Sequence, residues 1–213
     1  MSAAAPRGRY AVVYADPPWS FRLWGRPARG RRTAESHYPT MPLPDLLSLP
    51  VRGLAAPDCC LFLWATMPVL PAAFQVMRAW GFEYRTCAFV WAKRSRSGRR
   101  WHFGMGYWTR ANAELCLLGV RGRPRRVSAA VPQLIEAPVL LHSQKPAEAR
   151  ERIVELLGDL PRVELFARER APGWEALGLE IDGRRLQESL PDLIAGIDPG
   201  TAAPAHPATG EGR

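Results

Sequence analysis

Apolar residues in this chain fall into short dense runs, separated by stretches rich in arginine, glycine and proline. Tyr10-Ala11-Val12-Val13-Tyr14 is the first run, β-branched and aromatic, and it ends at Asp16-Pro17-Pro18. It reads as a buried strand followed by a forced loop, because neither proline can donate to a ladder. Residues 60–65, 84–92, 113–120 and 163–166 predict four more strands. Residues 69–80 have helical spacing and stop at Gly81. Residues 41–49 predict a short helix with Pro42 or Pro44 near its start. Residues 146–157 predict another, with Ile153, Val154, Leu156 and Leu157 on one side. Pro146 at its first position and Gly158 after its last are the expected boundaries.

Strands alternating with helices at this rhythm predict an α/β fold, a mainly parallel sheet with helices on both faces. At 213 residues there is room for one substantial domain. We assign it to residues 10–195, with a flexible N-terminus over 1–9 and a disordered tail over 196–213 that is rich in Pro, Gly, Ala and Thr. In such a sheet, ligands sit beyond the carboxyl ends of the strands. Asp16-Pro17-Pro18-Trp19 lies at such an end.

Composition narrows the picture. The longest apolar runs are strand-length, and the small basic N-terminus lacks the apolar stretch of a signal peptide, so a cytoplasmic protein is expected. Cys59, Cys60, Cys87 and Cys116 show no C-x-x-C spacing, which argues against a zinc site or a disulfide framework. The formal charge of +9 suits a polyanionic partner. Nearly all of that charge is arginine, because lysine occurs only at Lys93 and Lys145.

The tetrapeptide carries the most specific chemistry. Two prolines fix the backbone at a strand end, an acidic side chain precedes them, and a large flat ring follows. A rigid pair of acceptors beside an aromatic ring suits a planar base bearing an exocyclic amine. The amine's two N–H groups donate to the carboxylate and to a backbone carbonyl. The N6 lone pair of adenine is delocalised and poorly nucleophilic. Accepting both N–H bonds out of the base plane favours a pyramidal nitrogen and stabilises the charge that develops during transfer to it. A base in a duplex must first be flipped out.

An ordered series of segments extends the motif: Val12 to Trp19, His37-Tyr38-Pro39-Thr40-Met41, Leu61 to Thr66, Trp80-Gly81-Phe82 and Val90-Trp91-Ala92-Lys93. Gly106 to Arg110, Glu114 to Gly122, His142 to Pro146 and Val163 to Arg168 follow in turn. Over roughly residues 10–186 the chain resembles the MT-A70 family of adenine-N6 methyltransferases, whose members act on RNA or DNA. The resemblance implies a Rossmann-like methyltransferase fold, with the catalytic strand before the cofactor strand in sequence, and S-adenosyl-L-methionine as cofactor. It implies Asp16, Pro17, Pro18 and Trp19 as catalytic residues. Asp16, Lys145, Glu164, Phe166, Arg168, Arg170 and Glu180 become the cofactor-binding set. A lysine at 145 suits the cofactor's carboxylate, and the helix dipole that follows gives a cation no structural reason to be there. The chain departs from the family pattern at Leu179-Glu180, where relatives often carry Asn followed by Gln or Glu, and at Arg170-Ala171.

On the substrate side the resemblance points to Trp19, His37, Tyr38 and Arg110. Three basic stretches, residues 22–32, 93–100 and 121–126, are expected to flank the site, with Trp24, Trp101 and Trp108 among them. Rings beside arginines suit a single-stranded or flipped base, and solvated loops are the plainer reading. DNA is the favoured substrate, with RNA open. The alternative is a catalytically silent member that binds nucleic acid or a partner subunit. A homodimer is compatible with either.

Overall fold

The structure is a computed structural model and describes residues 9–20, 40–106, 108–140 and 144–197. Seven strands form one sheet in the order β5-β3-β4-β2-β1-β6-β7. These are β1 (Tyr10–Ala15), β2 (Ala55–Ala65), β3 (Glu83–Arg94), β4 (Ala113–Arg121), β5 (Leu134–Pro138), β6 (Arg162–Leu165) and β7 (Glu175–Leu177). The helices are α1 (Leu43–Ser48), α2 (Leu70–Ala79), α3 (Glu148–Leu157), α4 (Leu179–Asp182) and α5 (Leu186–Ala195).

Every residue of β1 is buried, which fits a central strand covered on both faces. Its side chains alternate accordingly. Val13 and Ala15 join Leu61, Leu63, Val163 and Leu165 under α1, α2 and α5. Val12 and Tyr14 join Phe62 and Trp64 on the other face, against Ala149, Ile153 and Leu157 of α3. This is the expected α/β sandwich, with the sheet mainly parallel.

One strand breaks the expected pattern. β4 runs antiparallel to both neighbours, β2 and β3, while β1 pairs in parallel with β2 and β6, and β3 in parallel with β5. No crossover helix separates β3 from β4, and without one the chain can only return antiparallel. The reversal has a consequence for charge. Register pairs Ala65 with Leu115 and Cys59 with Arg121, so the end of β4 lies at the edge of the sheet away from the end of β1. Arg121 there donates to the carbonyls of Arg52 and Ala55, and the Arg123 amide donates to Asp58. The basic stretch 121–126 therefore does not flank the site, contrary to the sequence expectation. Residues 22–32 lie outside the described residues, and so does Trp24.

Strands β2 to β5 all lie on one side of β1, and β6 and β7 lie on the other. β1 and β6 thus flank the switch point, where open α/β sheets bind their ligands. Asp16 follows β1 and Phe166 follows β6. Among the described residues no helix is long and apolar enough to cross a membrane.

Candidate active site

Asp16 leaves β1 half-buried, and the two prolines after it hold a tight turn in which the Trp19 amide donates to the Pro17 carbonyl at 2.8 Å. The Pro18 carbonyl accepts from the Met41 amide, also at 2.8 Å. Both carbonyls are fixed in space as anticipated, and each retains a second lone pair. Trp19 is placed differently from an open platform. Its ring is only 9% exposed, packed in the core, and its indole N–H donates to the Trp64 carbonyl at 2.9 Å. In this arrangement Trp19 anchors the loop to the end of β2.

The Lys145 ammonium meets Asp16 Oδ2 at 2.8 Å and Glu114 Oε2 at 3.3 Å. The other Glu114 oxygen, Oε1, takes the Lys93 ammonium at 2.5 Å. In a chain whose basic residues are otherwise arginines, the two lysines converge on one carboxylate. Arginine is a planar fork, while lysine is a compact charge with three rotatable donors, suited to being shared between carboxylates. Glu114 and Lys93 were not singled out by the sequence reading. The isolated use of lysine was a signal that could have marked Lys93, and no local signal marks Glu114.

Charges in this chain of contacts shape each other. Burial raises the Asp16 carboxyl above its ordinary value, Lys145 pulls it back only in part, and Glu114 adds to the rise. Burial acts upward on Glu114 too, but Lys145 and Lys93 together outweigh it and hold it at about 2. Burial acts to lower Lys145, but Asp16 and Glu114 outweigh it and hold the ammonium above its ordinary value.

Phe166 is the sole non-glycine with positive φ among the described residues, at 60°. A bulky residue there costs on the order of 1–3 kcal/mol, and such strain collects at functional sites. It places Phe166 between two recesses. One is lined by Tyr14, Asp16, Lys145, Arg150, Glu164 and Arg168. The other, about 150 Å³, is lined by Pro18, Asp45, Gly178, Leu179 and Arg185 among others. Gly178 lines the second recess and packs tightly on the segment after β6, since a Cβ there would stand 2.3 Å from the Ala167 carbonyl oxygen. Leu179, the departure from the family pattern, is exposed on the second recess. Arg170 and Glu180 are both exposed. His37 and Tyr38 lie outside the described residues.

Glu164 is 8% exposed and stands 3.2 Å from the Arg150 guanidinium, whose other arm holds Glu169 at 2.9 Å. The atoms that meet, Glu164 Oε2 and Arg150 Nε, are both buried, and they form an ion pair without hydrogen-bond alignment. Burial, opposed by Arg150 and reinforced by Asp16 and Glu169, raises Glu164 to about 7. Glu164 and Arg150 both line the first recess. Carboxylates, cations and an aromatic ring gathered after β1 and β6 are the group types that would suit the hydroxyls, carboxylate and adenine of S-adenosylmethionine.

Glu164 makes a pH-dependent contribution whose sign is fixed. Its folded value lies above the unfolded one, so the stability it contributes is complete below about pH 4.5 and is lost as pH rises through about 7. Glu164→Gln is expected to flatten the decline in melting temperature between pH 5 and 8. A decline unchanged in thermal scans of the variant would show that another group titrates.

On the far side of Lys93 and Glu114 opens a cleft of about 740 Å³. Its walls are Thr66, Met67 and Pro68 after β2 and the hairpin arm 102–112. Arg110 lines it, but its guanidinium donates to the Gly104 carbonyl at 2.7 Å and the Phe103 carbonyl at 2.9 Å. It staples the arm rather than reaching into the open space.

Residues 10–180 match the MT-A70 family model. The type II methyltransferase M.MunI of a Mycoplasma species is 32% identical over 200 residues, covering 85% of this chain and 82% of that protein. The Drosophila melanogaster N(6)-adenosine-methyltransferase MT-A70-like protein is 32% identical over 191 residues, covering 88% of this chain. The human N(6)-adenosine-methyltransferase catalytic subunit METTL3 is 31% identical over 192 residues, again covering 88% of this chain. The chain spans only 29% and 30% of the lengths of these two animal proteins. With the acidic tetrapeptide at the end of β1, the strained aromatic at the end of β6 and a family match running from β1 into α4, the chain belongs to the MT-A70 family.

Proposed function

We propose that the chain transfers a methyl group from S-adenosyl-L-methionine to the N6 amine of adenine in nucleic acid, with DNA as the favoured polymer. The observation that carries this reading is Asp16, held at the switch point by Lys145 and placed between the recess at Phe166 and the cleft beyond Glu114. Bound S-adenosylmethionine supplies an electrophilic methyl on a sulfonium.

The protein's part is to hold the amine. Asp16 and the Pro17 carbonyl accept its two N–H bonds, and Lys145 keeps the carboxylate oriented from its Oδ2 side. Both acceptors are preset, so little reorganisation accompanies the charge that grows on nitrogen. The surplus proton leaves to water after transfer. Glu164, Arg168 and Phe166 serve the cofactor's nucleoside, and Lys145 is within reach of its carboxylate. His37 and Tyr38 belong to the substrate side in this reading.

DNA is favoured because the relative this chain spans most fully among those named is the type II methyltransferase. Labelled methyl transfer to matched DNA and RNA oligonucleotides tests the reading. Incorporation into adenine of DNA above RNA is expected. Incorporation into neither, at saturating cofactor, would overturn it. Sedimentation of the active species then decides whether one copy suffices.

A further inference from the structure

The arm between β3 and β4 is built more rigidly than a solvated loop requires. Arg94 and Trp101 form a bridge at its base, and the Ser95 amide donates to the Arg100 carbonyl at 2.8 Å. The His102 amide donates to the Lys93 carbonyl at 2.9 Å, and the Gly104 amide to the Ala111 carbonyl at 2.7 Å. Arg110 clamps the far end through the Phe103 and Gly104 carbonyls. At Gly106 the fold is too tight for a side chain, since a Cβ would fall 1.8 Å from the Thr109 carbonyl oxygen.

This rigid arm holds Trp108 out at 99% exposure while Trp108 also lines the cleft. Met105 and Phe103 beside it are exposed as well. Residues 94–112 include five arginines and no acid. Among the described residues, Arg94 is the one of these five that meets an acid, Glu136 at 2.6 Å. An aromatic face among unpaired positive charges is the composition that binds an unstacked nucleotide strand. Its position favours the same occupant, because Trp108 lines the cleft that reaches Glu114 and Lys93, where the substrate enters in the reading above.

We propose that the arm reads the nucleotide next to the target adenine, whose base stacks on the Trp108 indole while the arm's arginines take its phosphates. The proposal rests on the methyl-transfer reading above and assigns a substrate contact to that same site. The cleft, at about 740 Å³, has room for more than the adenine ring.

The test uses fluorescence-anisotropy binding of single-stranded DNA and RNA 12-mers, each with one adenine, to wild type, Trp108→Ala and Trp108→Phe. Companion oligonucleotides carry an abasic residue immediately 5′ or 3′ of the adenine. Trp108→Ala is expected to weaken binding about 5- to 150-fold, with Trp108→Phe close to wild type. One abasic position should weaken wild type to a similar degree and leave Trp108→Ala unaffected. S-adenosylmethionine binding by calorimetry should be equal in all three proteins, which shows that the variants are folded. Oligonucleotide affinity within twofold of wild type in Trp108→Ala would overturn the proposal. So would equal abasic sensitivity in both proteins, or a loss of self-association in Trp108→Ala without loss of oligonucleotide affinity. Failure of the wild type to methylate adenine at all would instead overturn the methyl-transfer reading.

Discussion

Replacing Asp16 by asparagine is expected to slow methyl transfer by about 10²–10³-fold, the usual cost of removing one pre-organised partner of a developing charge. The substitution keeps the size of the side chain and its anchorage after β1. It removes the negative charge and half of the acceptor capacity, so the amine loses the group that draws its lone pair out of conjugation. Single-turnover incorporation of labelled methyl measures the step directly, and calorimetry with S-adenosylmethionine separates it from cofactor binding. The wild-type pH profile is a second readout. The acceptor works ionised, and burial lifts its carboxyl above the ordinary value despite Lys145. Activity is therefore lost as pH falls through a value above the ordinary one for an aspartate, and Asp16→Asn should lack that limb. Equal single-turnover rates in the two proteins would remove Asp16 from the mechanism.

The parts of this fold visible in the sequence are those with a local cause. β1 is an uninterrupted apolar run because both its faces are covered, and Pro17 and Pro18 end it wherever the rest of the chain goes. α3 announces itself by spacing and by Gly158, which takes φ 83° at its C-terminal end. Pro146, the predicted first position, lies two residues before α3 begins at Glu148. Elements that depend on distant partners were invisible. β5 buries a single side chain, Ile135, and exists because β3 pairs with it. β7 is three residues held on the edge of β6. α5 contains Pro191, which local propensity forbids in a helix interior. Burial of Leu186 and Leu190 against the core holds it in place nonetheless.

The site divides along the same line. Asp16 to Trp19 and Lys145 are marked by motif, but the burial of Trp19 and the stapling role of Arg110 come from neighbours that no spacing reveals. The antiparallel return of β4 matters most. It carries Arg121 away from the site and brings Glu114, at the start of the same strand, to the carboxyl ends of the others. Only topology places an acid between the two lysines.

That acid is the basis of the second large effect. Glu114→Gln is expected to destabilise the protein by about 3–5 kcal/mol at pH 7, because it strips a shared counter-charge from two mostly buried ammonium groups. For a domain of this size the loss corresponds to a melting temperature lower by on the order of 10 °C. The pair itself need not be a large net source of stability, since desolvation offsets much of its attraction; breaking one side leaves the cost without the return. The pH dependence separates charge from packing. Glu114 is held at about 2 when folded against an ordinary 4.5, so its contribution is complete above about pH 4.5 and disappears as pH falls toward 2. Melting temperatures of wild type and Glu114→Gln should therefore differ most above pH 5 and converge near pH 2. The variant should also lower the rate, because Lys145, released from Glu114, falls wholly on Asp16 and weakens it as an acceptor for the amine. A melting difference that stays constant from pH 7 down to pH 3 would mean that Glu114 acts through its shape, and that the two lysines find their counter-charge elsewhere.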